Sequence, residues 1–244
     1  MTRGWWQTHR RAPGRPGAAL VLWWSGVSTI VYWFFKVFYR LRVYGRKYVP
    51  LTGPVIYVSN HQTNYDPCLA GLVVTDRPFR AMARVSLFKN PVLAWVMRSI
   101  GAIELDRDKG DAGAFKAALA ELDAGRCVLM FPEGTRTRDG TIGEFKRGIA
   151  LLIKRSGASV MPIAIEGAHE VWPIGHTLPR LTGRIAVTGG PVITDDELMK
   201  DGPDAASDRL RREIDRMRLR LRERLRRGSG GRYPLAGPGD VPIP

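Results

Sequence analysis

The sequence predicts an α/β layer fold: a largely parallel or mixed sheet flanked by helices, with an apolar helical segment ahead of it. Two observations carry this. Between residues 42 and 194, short apolar runs alternate with stretches of helical periodicity, the pattern of strands joined by helices around one sheet. Ahead of that region stands an uncharged run, Ala18 to Phe35, and behind it a long arginine-rich amphipathic one. The 244 residues suit one sizeable domain with tails, and 44% hydrophobic residues exclude a disordered chain.

Residues 1–17 read as a disordered basic tail, with Arg3, Arg10, Arg11 and Arg15 among Pro and Gly. Residues 18–39 read as a membrane-associating segment. As a helix, Ala18–Phe35 would be about 27 Å long, the lower limit for a span. Positive charge flanks both sides, with Lys36, Arg40, Arg42, Arg46 and Lys47 behind it, so the positive-inside rule assigns no orientation. Ser25, Gly26, Ser28 and Thr29 interrupt the middle, and Trp23, Trp24, Tyr32, Trp33, Phe34 and Phe35 are of the interface-seeking kind. A helical hairpin or bent helix dipping into one leaflet is therefore expected over a span. An ordinary buried helix is the plainer alternative.

Residues 40–203 form the expected α/β domain. Strands are predicted at Arg42–Gly45, Val55–Ser59, Phe79–Ala83, Ala102–Leu105, Cys127–Phe131, Val160–Ile165 and Arg184–Thr188. Helices are predicted at Pro67–Thr75, Leu87–Ser99, Ala112–Ala124, Arg147–Ser156 and Asp195–Lys200. Residues 204–227 read as a basic amphipathic helix. Leu210, Ile214, Met217, Leu221 and Leu225 make one apolar stripe, with ten arginines between Ser207 and Arg227. The stripe suits either packing on the domain or lying on anionic lipid. Residues 228–244, rich in Gly and Pro, are expected to be disordered.

The net charge of +15 calls for a polyanionic partner. The charge crowds both ends beside apolar or amphipathic segments, which favours an anionic membrane surface over nucleic acid. Cys68 and Cys127, the only cysteines, make neither a metal nor a redox pair by spacing and read as small core residues. His169 and His176 lie beside prolines and read as loop residues.

Chemistry concentrates in two places, each just past an apolar strand. The first is Ser59-Asn60-His61-Gln62-Thr63-Asn64-Tyr65-Asp66-Pro67. On one continuous helix, His61 and Asp66 would point roughly 140° apart. A turn at Asn64 can bring them together, with Asp66 capping a helix that Pro67 opens. A carboxylate on one ring nitrogen leaves the other basic, which is equipment for deprotonating an alcohol. The second is Phe131-Pro132-Glu133-Gly134-Thr135-Arg136-Thr137. Gly134 permits close backbone approach, Thr135 offers a hydroxyl and Arg136 a fork of donors suited to phosphate, with Lys146 downstream.

Together, in this order, the two elements resemble the glycerolipid acyltransferase family, typified by the lysophosphatidate acyltransferases. Asn60–Asp66 is similar to its first block, Asn-His-x4-Asp, and Phe131–Arg136 to its third. Gly101-Ala102-Ile103-Glu104-Leu105-Asp106-Arg107 resembles the second, except that Glu104 stands where the family usually has an aromatic or apolar residue. Val160–Ile165 resembles the fourth. The resemblance covers roughly residues 40 to 200 and implies that family's acyltransferase fold. It implies His61 as general base oriented by Asp66. It gives Gly134, Thr135, Arg136 and Arg107 to the acceptor's phosphate, where Lys146 can add charge, and leaves Asn60 and Glu133 structural or open, Glu133 being a possible partner for Arg136. It further implies a thioester donor, acyl-CoA or acyl carrier protein, and a lysophospholipid acceptor such as 1-acyl-glycerol-3-phosphate, converted to phosphatidic acid. No metal or other cofactor is needed, and a monotopic or peripheral place on the cytoplasmic face of the cell membrane follows. Glycerol 3-phosphate, a lyso-ornithine lipid or a glycolipid are alternative acceptors. A nucleic-acid-binding protein would explain the charge but not Ala18–Phe35 or Phe131–Arg136.

Overall fold

In this computed structural model the described residues are 18–84 except 76, the isolated positions 89, 91 and 94, and 102–105 and 110–243. Strands are β1 (Arg42–Tyr44), β2 (Val55–Ser59), β3 (Phe79–Arg84), β4 (Ile103–Leu105), β5 (Cys127–Met130), β6 (Ser159–Glu166) and β7 (Ala186–Gly189). Helices are α1 (Ala18–Tyr39), α2 (Asp66–Val73), α3 (Gly110–Asp123), α4 (Gly148–Ser156), α5 (Ala168–Val171), α6 (Asp195–Met199) and α7 (Pro203–Gly228). The anticipated helix over 87–99 and the anticipated tail over 1–17 lie outside the described residues.

One seven-stranded sheet runs β1-β7-β6-β2-β5-β3-β4. Every neighbouring pair is parallel except β6 and β7. Apolar side chains alternate across the central strands as a pleated sheet covered on both faces requires. Val55 and Tyr57 of β2 join α1 and α2 in one core, with Leu69, Phe79, Leu129, Met161 and Ile163. Ile56 and Val58 face the other, with Leu122, Val128, Ile149, Leu152 and the α7 stripe Leu210, Ile214, Met217, Leu221 and Leu225. The stripe of α7 therefore packs on the domain. Cys127 is buried as expected, whereas Cys68 is exposed, because α2 turns that side to solvent. His169 lies in the short helix α5, not in a loop.

The expected hairpin or bend is not formed: α1 is one continuous helix of 22 residues. Thr29 Oγ1 bonds back to Ser25 O at 2.8 Å, so the polar middle is satisfied inside the helix and does not break it. Among the described residues no helix is long and apolar enough to cross a membrane. One face of α1 is docked through Trp24, Phe35 and Tyr39, all buried. The opposite face exposes Trp23, Ile30, Trp33, Phe34, Val37 and Phe38.

The C-terminal tail also departs from expectation, because α7 supplies buried partners for it. Arg218, fully buried, holds Asp215 at 2.7 Å, Glu166 at 3.3 Å and Gly239 O at 2.7 Å. Arg222 holds Glu166, Glu170 at 2.9 Å and Asp240 at 2.6 Å. Tyr233 Oη donates to Gly167 O at 2.9 Å, and Ile243 N to Asp215 Oδ2 at 3.1 Å. The arginines of the inner edge of α7 thus order residues 229–243 against the domain.

Candidate active site

The site is built where β2 and β5, adjacent and parallel, both end. Val58 lies opposite Met130 on one side and Pro162 on the other. Past Ser59, the Asn60 side chain replaces the next backbone rung. Its Nδ2 donates to Ile165 O at 2.9 Å and its Oδ1 accepts Ile165 N at 2.8 Å. The main chain is freed to turn outward, and His61 leaves the sheet at its carboxyl edge, where α/β folds gather their sites. Both polar atoms of the Asn60 amide are thus spent on Ile165 of β6.

The turn from Gln62 to Tyr65 brings His61 Nδ1 within 2.8 Å of Asp66 Oδ2. That oxygen also accepts the backbone N–H of Gln62 and, at 2.8 Å, of Thr63, while Oδ1 accepts Thr63 Oγ1 at 3.0 Å. Asp66 is fully buried and surrounded by donors, so Nδ1 carries the hydrogen that it gives to the carboxylate, and Nε2 keeps its lone pair. The imidazole is 21% exposed, enough to meet a substrate. One expectation is corrected: Asp66 does not cap α2 but is its first residue, since its lone pairs are spent on the turn before it.

The second loop supports the first. Phe131, the residue after β5, stacks under the His61 ring with centroids 4.3 Å apart and planes 22° from parallel. Glu133 Oε1 accepts the His61 backbone N–H at 2.7 Å and Oε2 accepts Gly143 N–H at 2.8 Å. Thr137 N donates to His61 O at 2.8 Å. Glu133 is thus no partner of Arg136: its two oxygens clamp the histidine's backbone to the far end of its own loop. Burial pushes the Glu133 carboxyl up to about 7, although both backbone donors and His61 pull the other way.

Gly134 turns outward at φ 69°, and a Cβ there would lie 2.6 Å from Lys146 Cε. The Lys146 side chain therefore crosses the Gly134 turn, and Lys146 N is fixed to Pro132 O at 2.9 Å. Gly134 and Thr135 are exposed and Arg136 half-exposed, beside the His61 loop. The structure brings together His61, Asp66, Asn60, Glu133, Gly134, Thr135, Arg136 and Lys146. Arg107 lies outside the described residues. Among those residues no group of His, Cys, Asp and Glu is placed to hold a metal ion.

Two contributors had no role in the sequence reading. Buried Gln62 accepts Ala168 N and His169 N, each at 3.1 Å, and ties the His61 turn to α5. Tyr65 packs on Phe35 at 5.0 Å and Trp172 at 4.9 Å, which joins the turn to the inner face of α1. Burial and the neighbouring Tyr39 raise the Tyr65 phenol far above its ordinary value. Both partnerships cross long stretches of chain, and only the type of residue, a glutamine and a tyrosine flanking the pair, hinted at them.

Known proteins are similar to this chain in sequence and fold. Residues 40–166 match the model of the acyltransferase family. The chain is 30% identical over 207 residues to the mouse 1-acyl-sn-glycerol-3-phosphate acyltransferase alpha, covering 82% of this chain and 70% of that protein. It is 31% identical to the chloroplast 1-acyl-sn-glycerol-3-phosphate acyltransferase LPAT1 of Arabidopsis thaliana, covering 57% of this chain and only 39% of that longer protein. The Streptococcus pneumoniae protein of the same activity name is 31% identical, covering 66% of this chain and 60% of the other. The crystal structure of PlsC, the 1-acyl-sn-glycerophosphate acyltransferase of Thermotoga maritima, shares the fold with a TM-score of 0.63 at 23% identity, covering 82% of this chain and 78% of that one.

Proposed function

The chain belongs to the acyltransferase family, and from that premise we propose that it moves a fatty acyl group onto the free hydroxyl of 1-acyl-glycerol-3-phosphate, giving phosphatidic acid. The donor is a thioester, acyl-CoA or acyl carrier protein. The observation that carries this reading is the His61–Asp66 pair, 2.8 Å apart at the end of β2 and laced to a loop that presents Gly134, Thr135, Arg136 and Lys146.

His61 Nε2 takes the proton of the acceptor hydroxyl as its oxygen attacks the thioester carbonyl. Asp66 holds the ring and stabilises the imidazolium that forms. The tetrahedral adduct collapses, the carbon–sulfur bond breaks, and the departing thiolate takes the proton back from His61. Gly134, Thr135, Arg136 and Lys146 hold the acceptor's phosphate, and Arg107 assists them. A guanidinium fork and turned backbone donors suit that dianion. Glu133 and Asn60 keep the His61 loop rigid, which matters because reactive geometry tolerates little displacement. The thioester is already activated, so positioning and one base suffice without a metal or other cofactor.

The exposed aromatic face of α1 enters one leaflet from the cytoplasmic side, with the docked face fixed to Tyr65 beside the catalytic turn. Acceptor in the leaflet and donor in the cytosol then meet at the headgroup plane. The test is transfer by purified protein from labelled long-chain acyl-CoA to a panel containing 1-acyl-glycerol-3-phosphate, glycerol 3-phosphate and 1-acyl-glycerophosphocholine. Phosphatidic acid should be the main product; a preference for the choline acceptor, a phosphodiester, would overturn the assignment of a phosphate-monoester acceptor.

A further inference from the structure

A second concentration of charge lies on the same rim of the sheet as His61. Arg42 of β1 is opposite Ala186 of β7, and Ala186 is opposite Glu166 at the end of β6, which flanks β2. Three strand spacings separate β1 from β2, about 14 Å. There Arg40, Arg42, Arg184 and Arg224 line a cavity of about 210 Å³, closed by Leu225 and Gly228. The four arginines come from four places: the residue after α1, the first residue of β1, the approach to β7 and the last turns of α7.

The backbone gathers them. Arg42 N donates to Ile185 O and Ile185 N to Tyr39 O, each at 3.0 Å, so the end of α1 and the start of β7 are stitched together. Arg40 takes up the reversal at φ 46°, a left-handed conformation in which glycine would be unstrained. Arg184 Nη1 donates to Gly228 O at 2.6 Å. A Cβ on Gly228 would lie 3.6 Å from Arg184 Nη1 and 3.8 Å from Arg42 Nη2, so both guanidinium groups converge on that point. Arg224 lies over the Tyr44 ring at 4.9 Å.

The plain account is that these arginines cap the carboxyl end of α7. That end carries only about half a negative charge, Gly228 O is taken by Arg184, and Arg226 O and Arg227 O are met by the backbone N–H groups of residues 229–231. Among the described residues none of the four arginines meets a carboxylate, whereas Arg218, Arg222 and Arg226 on the same helix all do. Burial and the neighbouring Arg40, Arg42 and Arg232 hold the Arg184 guanidinium below its ordinary value, as crowded, uncompensated cations require. The position names the anion. Arg40 directly follows Tyr39, and the exposed Trp33, Phe34, Val37 and Phe38 occupy the preceding two turns. Where those rings enter a leaflet, the cavity stands at the level of the phosphates.

We infer that the cavity bounded by Arg40, Arg42, Arg184 and Arg224 binds the phosphate group of an anionic membrane phospholipid, separately from the acceptor phosphate held at Gly134–Arg136. This rests on the membrane reading of α1. An apolar face alone leaves the domain free to roll about the axis of α1. A phosphate clasped about 14 Å from β2 fixes that angle and sets the His61 turn toward the leaflet.

The experiment compares the full chain, the double variant Arg42→Gln/Arg224→Gln, which leaves Arg184 on Gly228, and a charge-matched control, Arg212→Gln/Arg220→Gln, on the exposed side of α7. Partitioning is measured onto phosphatidylcholine vesicles with and without phosphatidylglycerol. All three proteins should bind the neutral vesicles alike. The gain from phosphatidylglycerol should fall at least tenfold further in the cavity variant than in the control. Equal losses in the two variants would show diffuse attraction and overturn the site. A wild-type protein that binds neither vesicle would remove the membrane reading and the site with it, while equal losses remove the site alone. If inorganic phosphate raises the melting temperature of the wild type but not of the cavity variant, and vesicle binding is equal in both, the cavity takes free phosphate and the lipid assignment falls. Transfer to an acceptor dispersed in neutral detergent micelles should stay at the wild-type rate in the cavity variant.

Discussion

Replacing Asp66 separates its two duties, orienting a base and holding a turn. The carboxylate, itself fully buried, accepts His61 Nδ1 at 2.8 Å, Gln62 N, Thr63 N at 2.8 Å and Thr63 Oγ1 at 3.0 Å. Asp66→Ala leaves two buried backbone N–H groups unpaired, at about 1–3 kcal/mol each, so a loss of about 2–6 kcal/mol in stability is expected. Asp66→Asn can keep the same count of bonds. Its carbonyl oxygen takes the place of Oδ2, and its amide donates to Thr63 Oγ1, which can accept. The fold should therefore lose under about 2 kcal/mol. The charge is gone, however, and the imidazolium formed during proton abstraction loses its counter-ion. Turnover should fall about 100- to 10,000-fold, or about 2.7–5.5 kcal/mol in barrier. The assays are thiol release from acyl-CoA with 1-acyl-glycerol-3-phosphate, and thermal unfolding by circular dichroism. An Asp66→Asn protein with more than a tenth of wild-type turnover, or an Asp66→Ala protein as stable as Asp66→Asn, would refute this reasoning.

Arg136→Ala should raise the acceptor's KM by about 10- to 150-fold, the equivalent of about 1.5–3 kcal/mol for a charge-assisted contact, and leave the donor's KM nearly unchanged; a rise confined to the donor would move the phosphate site elsewhere. Gly134→Ala forces a side chain into φ 69° and against Lys146, so a strain of about 1–2 kcal/mol and a higher acceptor KM are expected, measured by melting and by steady-state kinetics. The Glu133 carboxyl sits at about 7 against an ordinary 4.5, so between those values the folded chain holds a proton that the unfolded chain releases. The ionised Glu133 carboxyl therefore costs the fold stability, a cost present in full above 7 and relieved as pH drops from 7 toward 4.5, by up to about 1.4 kcal/mol per pH unit. The stability of the wild type minus that of Glu133→Gln should rise over that descent in urea titrations; a constant difference contradicts the shift.

Much of the architecture was legible because its signals are local. Apolar runs bounded by Gly and Pro gave the seven strands within a residue or two, and the α7 stripe gave its buried face. The His61–Asp66 turn was legible because Asn64 and Asp66-Pro67 force a reversal between them. What was missed depends on distant partners. The tail 229–243 looks disordered from its Gly and Pro content, yet Arg218, Arg222 and Arg226, inside α7, hold it against the domain. Glu133 was weighed against Arg136 because the two are close in sequence; its partners, His61 N and Gly143 N, are backbone donors that no side-chain pattern reveals. The polar middle of α1 suggested a break, yet one Thr29-to-Ser25 bond lets the helix continue.

The central claim is that His61 removes the acceptor's proton in acyl transfer. The most direct measurement is the turnover of His61→Ala on acyl-CoA and 1-acyl-glycerol-3-phosphate, with its melting temperature measured alongside. The ring only stacks on Phe131 and bonds Asp66, so the fold should persist while the rate falls about 100- to 10,000-fold. A folded His61→Ala protein that keeps more than a tenth of wild-type turnover contradicts the account.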